Sequence, residues 1–181
     1  MNPAAPEVLH FWFDEVGPER QFVKDDDLDA ACASRFGDVR QAVLASDAAD
    51  WRDDADSMLA AVILLDQMSR NIFRGQAEAF AADPLALELA LSTIAAGFDR
   101  QLAPDRRAFV YMPLMHSEDR GVQRFALRCF GQPGLERNID FAREHRDVIE
   151  RFGRFPGRNA ALGRVSTPEE QRFLDEGGGK W

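Results

Sequence analysis

Hydrophobic positions recur along the whole chain at the spacing of helices. Val8, Leu9, Phe11 and Trp12 follow Pro6, which suits a first turn, and predict a short amphipathic helix. Asp25 to Asp27 open a second helix, where carboxylates favour the positive helix end, and Leu28, Ala31, Cys32, Phe36, Val39 and Val43 form its apolar stripe. Asp54 or Asp56 caps a third, running to about Phe73 with Gly75 as its stop. Asp83-Pro84 opens a fourth that reaches Gly97. A fifth starts near Pro104 and is expected to break at Pro113. Ser117, followed by Glu118 and Asp119, opens a sixth that ends near Gly131, and a seventh runs from about Leu135 to Phe152. Thr167-Pro168-Glu169-Glu170 is a capping box that starts a short last helix. No stretch alternates with the period of a strand. The pattern predicts an all-α fold of seven to eight helices, in antiparallel pairs, as a bundle or a short superhelix.

The chain of 181 residues makes one domain over 1–181, with 1–5 and 176–181 as flexible tails and Trp181 as a residue that can dock. Its 45% hydrophobic content fills a core of that size and excludes a disordered chain. The longest apolar run, Met58 to Leu65, is far short of the roughly 20 residues a membrane span needs. The opening residues lack the basic and apolar regions of a signal peptide, so the expected location is the cytoplasm. Cys32 and Cys129 fall on apolar helix faces and are expected as buried free thiols.

Charge sharpens the picture. The net charge of −9 argues against nucleic acid and anionic lipid as partners. The distribution is uneven. Asp14 to Ser57 holds 13 acidic and 5 basic residues, whereas Arg151 to Ser166 holds four arginines and no acid. A basic segment in an acidic chain marks the place where an anion would bind.

Three segments carry candidate chemistry. In the first, an all-apolar run ending at Leu65 is followed by Asp66, Gln67, Arg70, Asn71 and Arg74, which share an arc of about 140° on one helix face. Asp66 and Arg70 are spaced to pair. The set is either a wall of a ligand site or a polar brace between helices, since buried arginine must be paired. In the second, Pro113 precedes His116, Ser117 and Glu118. Ser117 is read as the N-cap of the following helix, and His116 with Glu118 as a base and its orienter, or as capping groups. No zinc-binding spacing is present, so neither a metal nor another cofactor is expected. In the third, Gly153, Pro156, Gly157 and Gly163 make a loop that carries Arg154, Arg158, Asn159 and Arg164, with Phe152 and Phe155 as anchors. Guanidinium forks there suit a carboxylate or phosphate ligand, or lock onto Asp66 and Glu118 from inside the fold. His145 reads as a packing residue.

These segments, with Phe11-Trp12-Phe13 and Ala79-Phe80-Ala81-Ala82-Asp83, resemble the domain-of-unknown-function 924 family from about Val8 to Leu174. The resemblance implies a bacterial, all-α, tetratricopeptide-like protein and no assigned reaction. The chain itself shows no clean tetratricopeptide repeat. It departs from the family pattern at Met68-Ser69, where a proline follows the Asp-Gln-aromatic step, and at Gly157, where a histidine is usual.

The leading functional expectation is a polar pocket for a small anionic molecule. Arg70, Arg74, Arg154, Arg158 and Arg164 would supply charge, Gln67 and Asn71 orientation, and His116 with Glu118 proton transfer. The alternatives are a protein-interaction module with a concave face and a purely structural network. The sharpest geometric expectation is that the arginine-bearing helix and the arginine-bearing loop meet near His116.

Overall fold

A computed structural model describes residues 1–179. Trp181, expected as a docking residue, lies outside them. Among the described residues all regular structure is helical, and no helix is long and apolar enough to cross a membrane.

Helix α1, Ala5–His10, runs on without a break into a π-helical turn, Phe11–Val16. Helix α2, Asp26–Ala45, is capped by Asp25, whose side chain accepts from the amides of Asp27 and Leu28. It buries Leu28, Cys32, Phe36 and Val43 at close to one residue per turn. Helix α3 is a single rod of three parts: Ala55–Val62, a π-helical turn Ile63–Met68, and Ser69–Ile72. Asp54 caps it. The run that is apolar on every side is buried on every side, so α3 is the central element. Helix α1, helix α4 (Asp83–Ala95) and helix α5 (Pro104–Met115) pack on it, and α2 packs on its π turn and its last turn. Helix α6 (Arg120–Phe130) packs on α5, and α7 (Ile139–Phe152) on α6. The loop that follows turns through Pro156–Arg158 and meets the short α8, Pro168–Asp175, which opens with the expected capping box.

Two local expectations need correction. Helix α5 does not break at Pro113. It continues to Met115, and the His116 amide still reaches the Met112 carbonyl at 2.9 Å. Proline gives up the bond to the carbonyl four residues back and crowds that carbonyl, but with only Leu114 and Met115 after it the helix can still finish its last turn. His116 therefore closes α5 rather than preceding α6. The N-cap of α6 is Asp119, which accepts from the Val122 amide at 2.8 Å, while the Ser117 hydroxyl accepts from the Asp119 amide.

The π turn of α3 has a visible partner for its loosened backbone. The Ser69 hydroxyl donates to the Leu64 carbonyl, five residues back, at 3.2 Å and accepts from the buried Arg40 Nε at 2.9 Å. The hydroxyl thus takes up two groups at Ser69, one of the two departures noted from the sequence. The other departure is also placed. A Cβ at Gly157 would stand 2.8 Å from the Gly179 carbonyl oxygen, so this glycine is where Gly179 lies against the loop. At the other end, the Asn2 amide donates to the Ser57 hydroxyl. Cys32 and Cys129 are free and buried, and burial pushes their thiols up to about 12 and about 11.

Candidate functional site

The π turn carries Asp66 on α3 into the space between the ends of α4 and α5. Asp66 is almost fully buried at 1% exposure. His116 at the end of α5 approaches it with Nδ1 2.7 Å from Oδ1. Arg70, one turn further along α3, sets Nη1 3.2 Å from the same oxygen and donates to the Asp66 carbonyl. The Gln67 amide donates to the second carboxylate oxygen. Burial by itself would raise the Asp66 carboxyl. The charge of Arg70, with the hydrogen bonds from His116 and Gln67, outweighs it and holds the group well below the usual carboxylate range.

This settles the state of His116. An ionised carboxylate only accepts, so Nδ1 carries the hydrogen and Nε2 keeps its lone pair. Among the described residues nothing donates to that Nε2. Burial lowers the imidazole pKa, and Arg70 and Arg158 add to this against the pull of Asp66, which favours the neutral ring. An oriented, neutral imidazole with one free nitrogen is a proton acceptor for whatever lies beside it.

The third carboxylate-centred contact joins the helix to the loop. Asp83, at the start of α4, receives a fork from Arg70 at 3.0 and 3.1 Å and a bond from Arg158 Nη1 at 3.1 Å. Arg158 Nη2 donates to the His116 carbonyl at 2.8 Å. Its guanidinium lies over the rings of Phe80 and Phe155, 4.8 and 4.6 Å from their centroids. Burial draws its pKa down to about 10, the neighbouring Arg70 charge adding to this, so it stays cationic. The remaining N–H groups of Arg158 have no hydrogen-bond partner among the described residues.

A cavity of about 380 Å³ opens at this junction. Asp66, Asp83, His116, Ser117, Glu118 and Arg158 form its polar wall. Phe80, Pro84, Leu87, Pro113 and Leu162 form the apolar one. A concave space with an apolar side and a few convergent polar groups is the usual form of a small-molecule site.

The expected convergence of helix and loop near His116 is present, and it is made by Arg70 and Arg158. Other members of the predicted set go elsewhere. Asn71 and Arg74 leave the cavity and brace α3 to α2 through Asp29, at 2.8 Å and at 2.6 and 2.7 Å. Arg154 forks onto Glu170 at 2.6 and 2.8 Å, and Asn159 reaches Ser166 and Glu170. Arg164 forks onto Glu118 at 2.9 and 3.0 Å, and the Phe155 amide donates to the same carboxylate. Burial would raise Glu118, but Arg164 and the Phe155 amide lower it. The orienter of His116 is thus Asp66, and Glu118 instead fixes the loop. His145 lies beside His116, ring centroids 5.8 Å apart and tilted by 44°, and donates from Nδ1 to the Phe141 carbonyl.

Two members of the site were not singled out from the sequence. Asp83 reads there as a helix cap, and Phe80 as part of a family-like segment. The only signal for either was their company in that segment. No group of three potential metal ligands occurs among the described residues.

The family described as "Bacterial protein of unknown function (DUF924)" matches residues 8–178. A solved structure, titled as a protein of unknown function, ATU0120, from Agrobacterium tumefaciens, is 41% identical with a TM-score of 0.90, covering 96% of this chain and 97% of that one. No curated protein matches the chain.

Proposed function

Starting from a chain that belongs to the DUF924 family, we propose that the cavity between α3, α4, α5 and the loop after α7 binds a small molecule bearing a carboxylate or phosphate, with Arg158 as its anchor and His116 as a proton acceptor. One observation carries this reading. Asp83 is shared by two guanidinium groups, so Arg158 reaches the cavity wall with N–H donors beyond those it has already used. A buried cation with spare donors gains from a second acceptor, and a ligand oxyanion supplies one. The three carboxylates of the wall, Asp66, Asp83 and Glu118, are paired with Arg158 of the wall and with Arg70 and Arg164 behind it, which offsets their charge toward an incoming anion. It would also favour protonation of His116, which links binding to proton uptake.

A thermal-shift measurement tests this on the full chain, with inorganic phosphate, acetate and succinate as probes. A ligand at 100 times its dissociation constant adds about 2.7 kcal/mol and moves the midpoint by several degrees. The expected result is a shift in the wild type and in Arg154→Met, no shift in a folded Arg158→Met, and a larger wild-type shift at pH 6 than at pH 8. If no probe shifts the wild type, the arginines are a structural network, and the search moves to protein partners on a tetratricopeptide-like surface.

A further inference from the structure

The cavity does not end at its apolar wall. A second, shallower groove of about 370 Å³ runs along the outer face of α4, and Pro84 and Leu87 line both spaces. Beyond them the groove continues over Leu91 and Ala95. These four positions share one side of the helix. The opposite side, Ala86, Leu89, Ala90 and Thr93, is buried against the rest of the fold. Helix α4 is thus apolar on both faces, a pattern expected of a helix covered all round, yet Leu91 stays 39% exposed. The one acid in the groove, Glu88, is neutralised by a fork from Arg52 at 2.9 and 2.7 Å and by the Ser92 hydroxyl. The groove therefore offers an uncharged track that starts at a cationic anchor. Along the helix axis the track from Pro84 to Ala95 is about 16 Å long.

Building on the anion-pocket reading, we propose that the ligand is an aliphatic carboxylic acid of medium chain length, its carboxylate on Arg158 beside His116 and its alkyl chain laid along Pro84, Leu87, Leu91 and Ala95. The head meets the guanidinium donors that Asp83 leaves over. The tail leaves water on the one apolar strip that continues from the cavity. A polar or short ligand would use the cavity and leave this strip uncovered.

Isothermal titration of the full chain with acetate, butyrate, hexanoate, octanoate and decanoate, each below its micellar concentration, tests the chain-length claim. Affinity is expected to rise about two- to fourfold per methylene, from the transfer free energy of a buried methylene. Leu91→Glu, a change on the surface, is expected to keep butyrate binding and to flatten the rise for the longer acids. If acids bind through Arg158 with an affinity that does not change from butyrate to decanoate, the tail proposal falls and the anion pocket stands. If no acid binds at any length, the tail proposal falls, and the anion pocket falls with it when inorganic phosphate also fails to bind. If decanoate binds equally well to wild type, Arg158→Met and Leu91→Glu, the binding is non-specific and both are overturned.

Discussion

Arg154 and Arg158 sit four residues apart in the same loop, one before its Pro156–Arg158 turn and one at the end of it, and they do opposite things. Arg154 is used up. Its fork takes both oxygens of Glu170, and it also donates to the Val165 carbonyl. Glu170 in turn accepts from the Thr167 amide as part of the capping box of α8. That end of the loop is a closed knot holding the last helix. Arg158 shares its carboxylate with Arg70 and lines an open cavity. What separates a brace from a candidate site is therefore not the residue type or its position in the loop. It is the number of cations each carboxylate must serve, and whether space is left beside the one that is underserved.

The largest expected effect comes from breaking the cavity side at its centre. Asp66→Asn removes a buried charge from between Arg70 and His116 and leaves Asp83 as the near carboxylate for two arginines. Removing one partner of a buried pair costs about 3–5 kcal/mol, because the remaining charge is stranded. Denaturant unfolding of the variant beside the wild type measures it. A loss below about 1 kcal/mol would mean that the cavity network relaxes freely, and that its arginines are no more constrained than those at the surface.

Acid separates the two ends of the loop by pH. Burial, with the charge of His116 and then of Arg158 and Arg70, pushes His145 down to about 3, against the bond to the Phe141 carbonyl. Its folded pKa is depressed, so the unfolded chain binds the proton first. The stability it confers is complete above the ordinary histidine pKa near 6.5 and is lost as pH falls toward 3, at no more than about 1.4 kcal/mol per pH unit. The brace behaves differently. The Arg154 bond, against a smaller opposing effect of burial, lowers Glu170 to about 2, so its contribution begins to fall only below the ordinary carboxylate range near 4.5. Between pH 6.5 and 4.5 the cavity side should loosen first. The check is amide hydrogen exchange across that interval, with protection lost around α7 and His116 before α8. A His145→Phe variant should shrink the early phase to the share of His116, whose pKa burial also lowers. Simultaneous loss at both ends would mean that they open as one unit.

How much of this was legible in the sequence depends on the range of the contacts. The helices followed from apolar spacing and caps, because those are local, and Asp25, Asp54 and Thr167 cap as their positions imply. Pro113 misled because a proline one turn from a helix end costs a single bond, and the sequence does not show where the helix ends. The face Asp66, Gln67, Arg70, Asn71, Arg74 was visible as one arc. Its division into a cavity half and a brace half was not, since Asp29 and Asp83 reach it from other helices. Arg40 shows the same limit. It lies in an apolar stripe and becomes readable only when the Ser69 hydroxyl and the Phe73 ring stand beside it. The tetratricopeptide-like repeat had no clean signature in the chain, and the helix pairing alone does not supply one.

The smallest effect is expected at the residue between the two arginines. Gly157 lies in the turn itself, and a Cβ there would stand 2.8 Å from the Gly179 carbonyl oxygen, too close to keep without movement. The backbone of Gly157 is not in the left-handed region, so alanine fits the turn itself. Gly157→Ala therefore sets two small terms against each other. The unfolded chain loses freedom, which favours the variant by about 0.4–1 kcal/mol, and the contact with Gly179 is given up. If Arg154 and Arg158 act independently, neither the Glu170 knot nor the Asp83 junction feels the change. The midpoint should then move by a degree or two in either direction, and the phosphate or carboxylate response of the wild type should persist. A variant that stays folded but loses that response would show that the Gly179 contact, through this turn, sets the position of Arg158. The cavity and the brace would then be two ends of one device rather than neighbours.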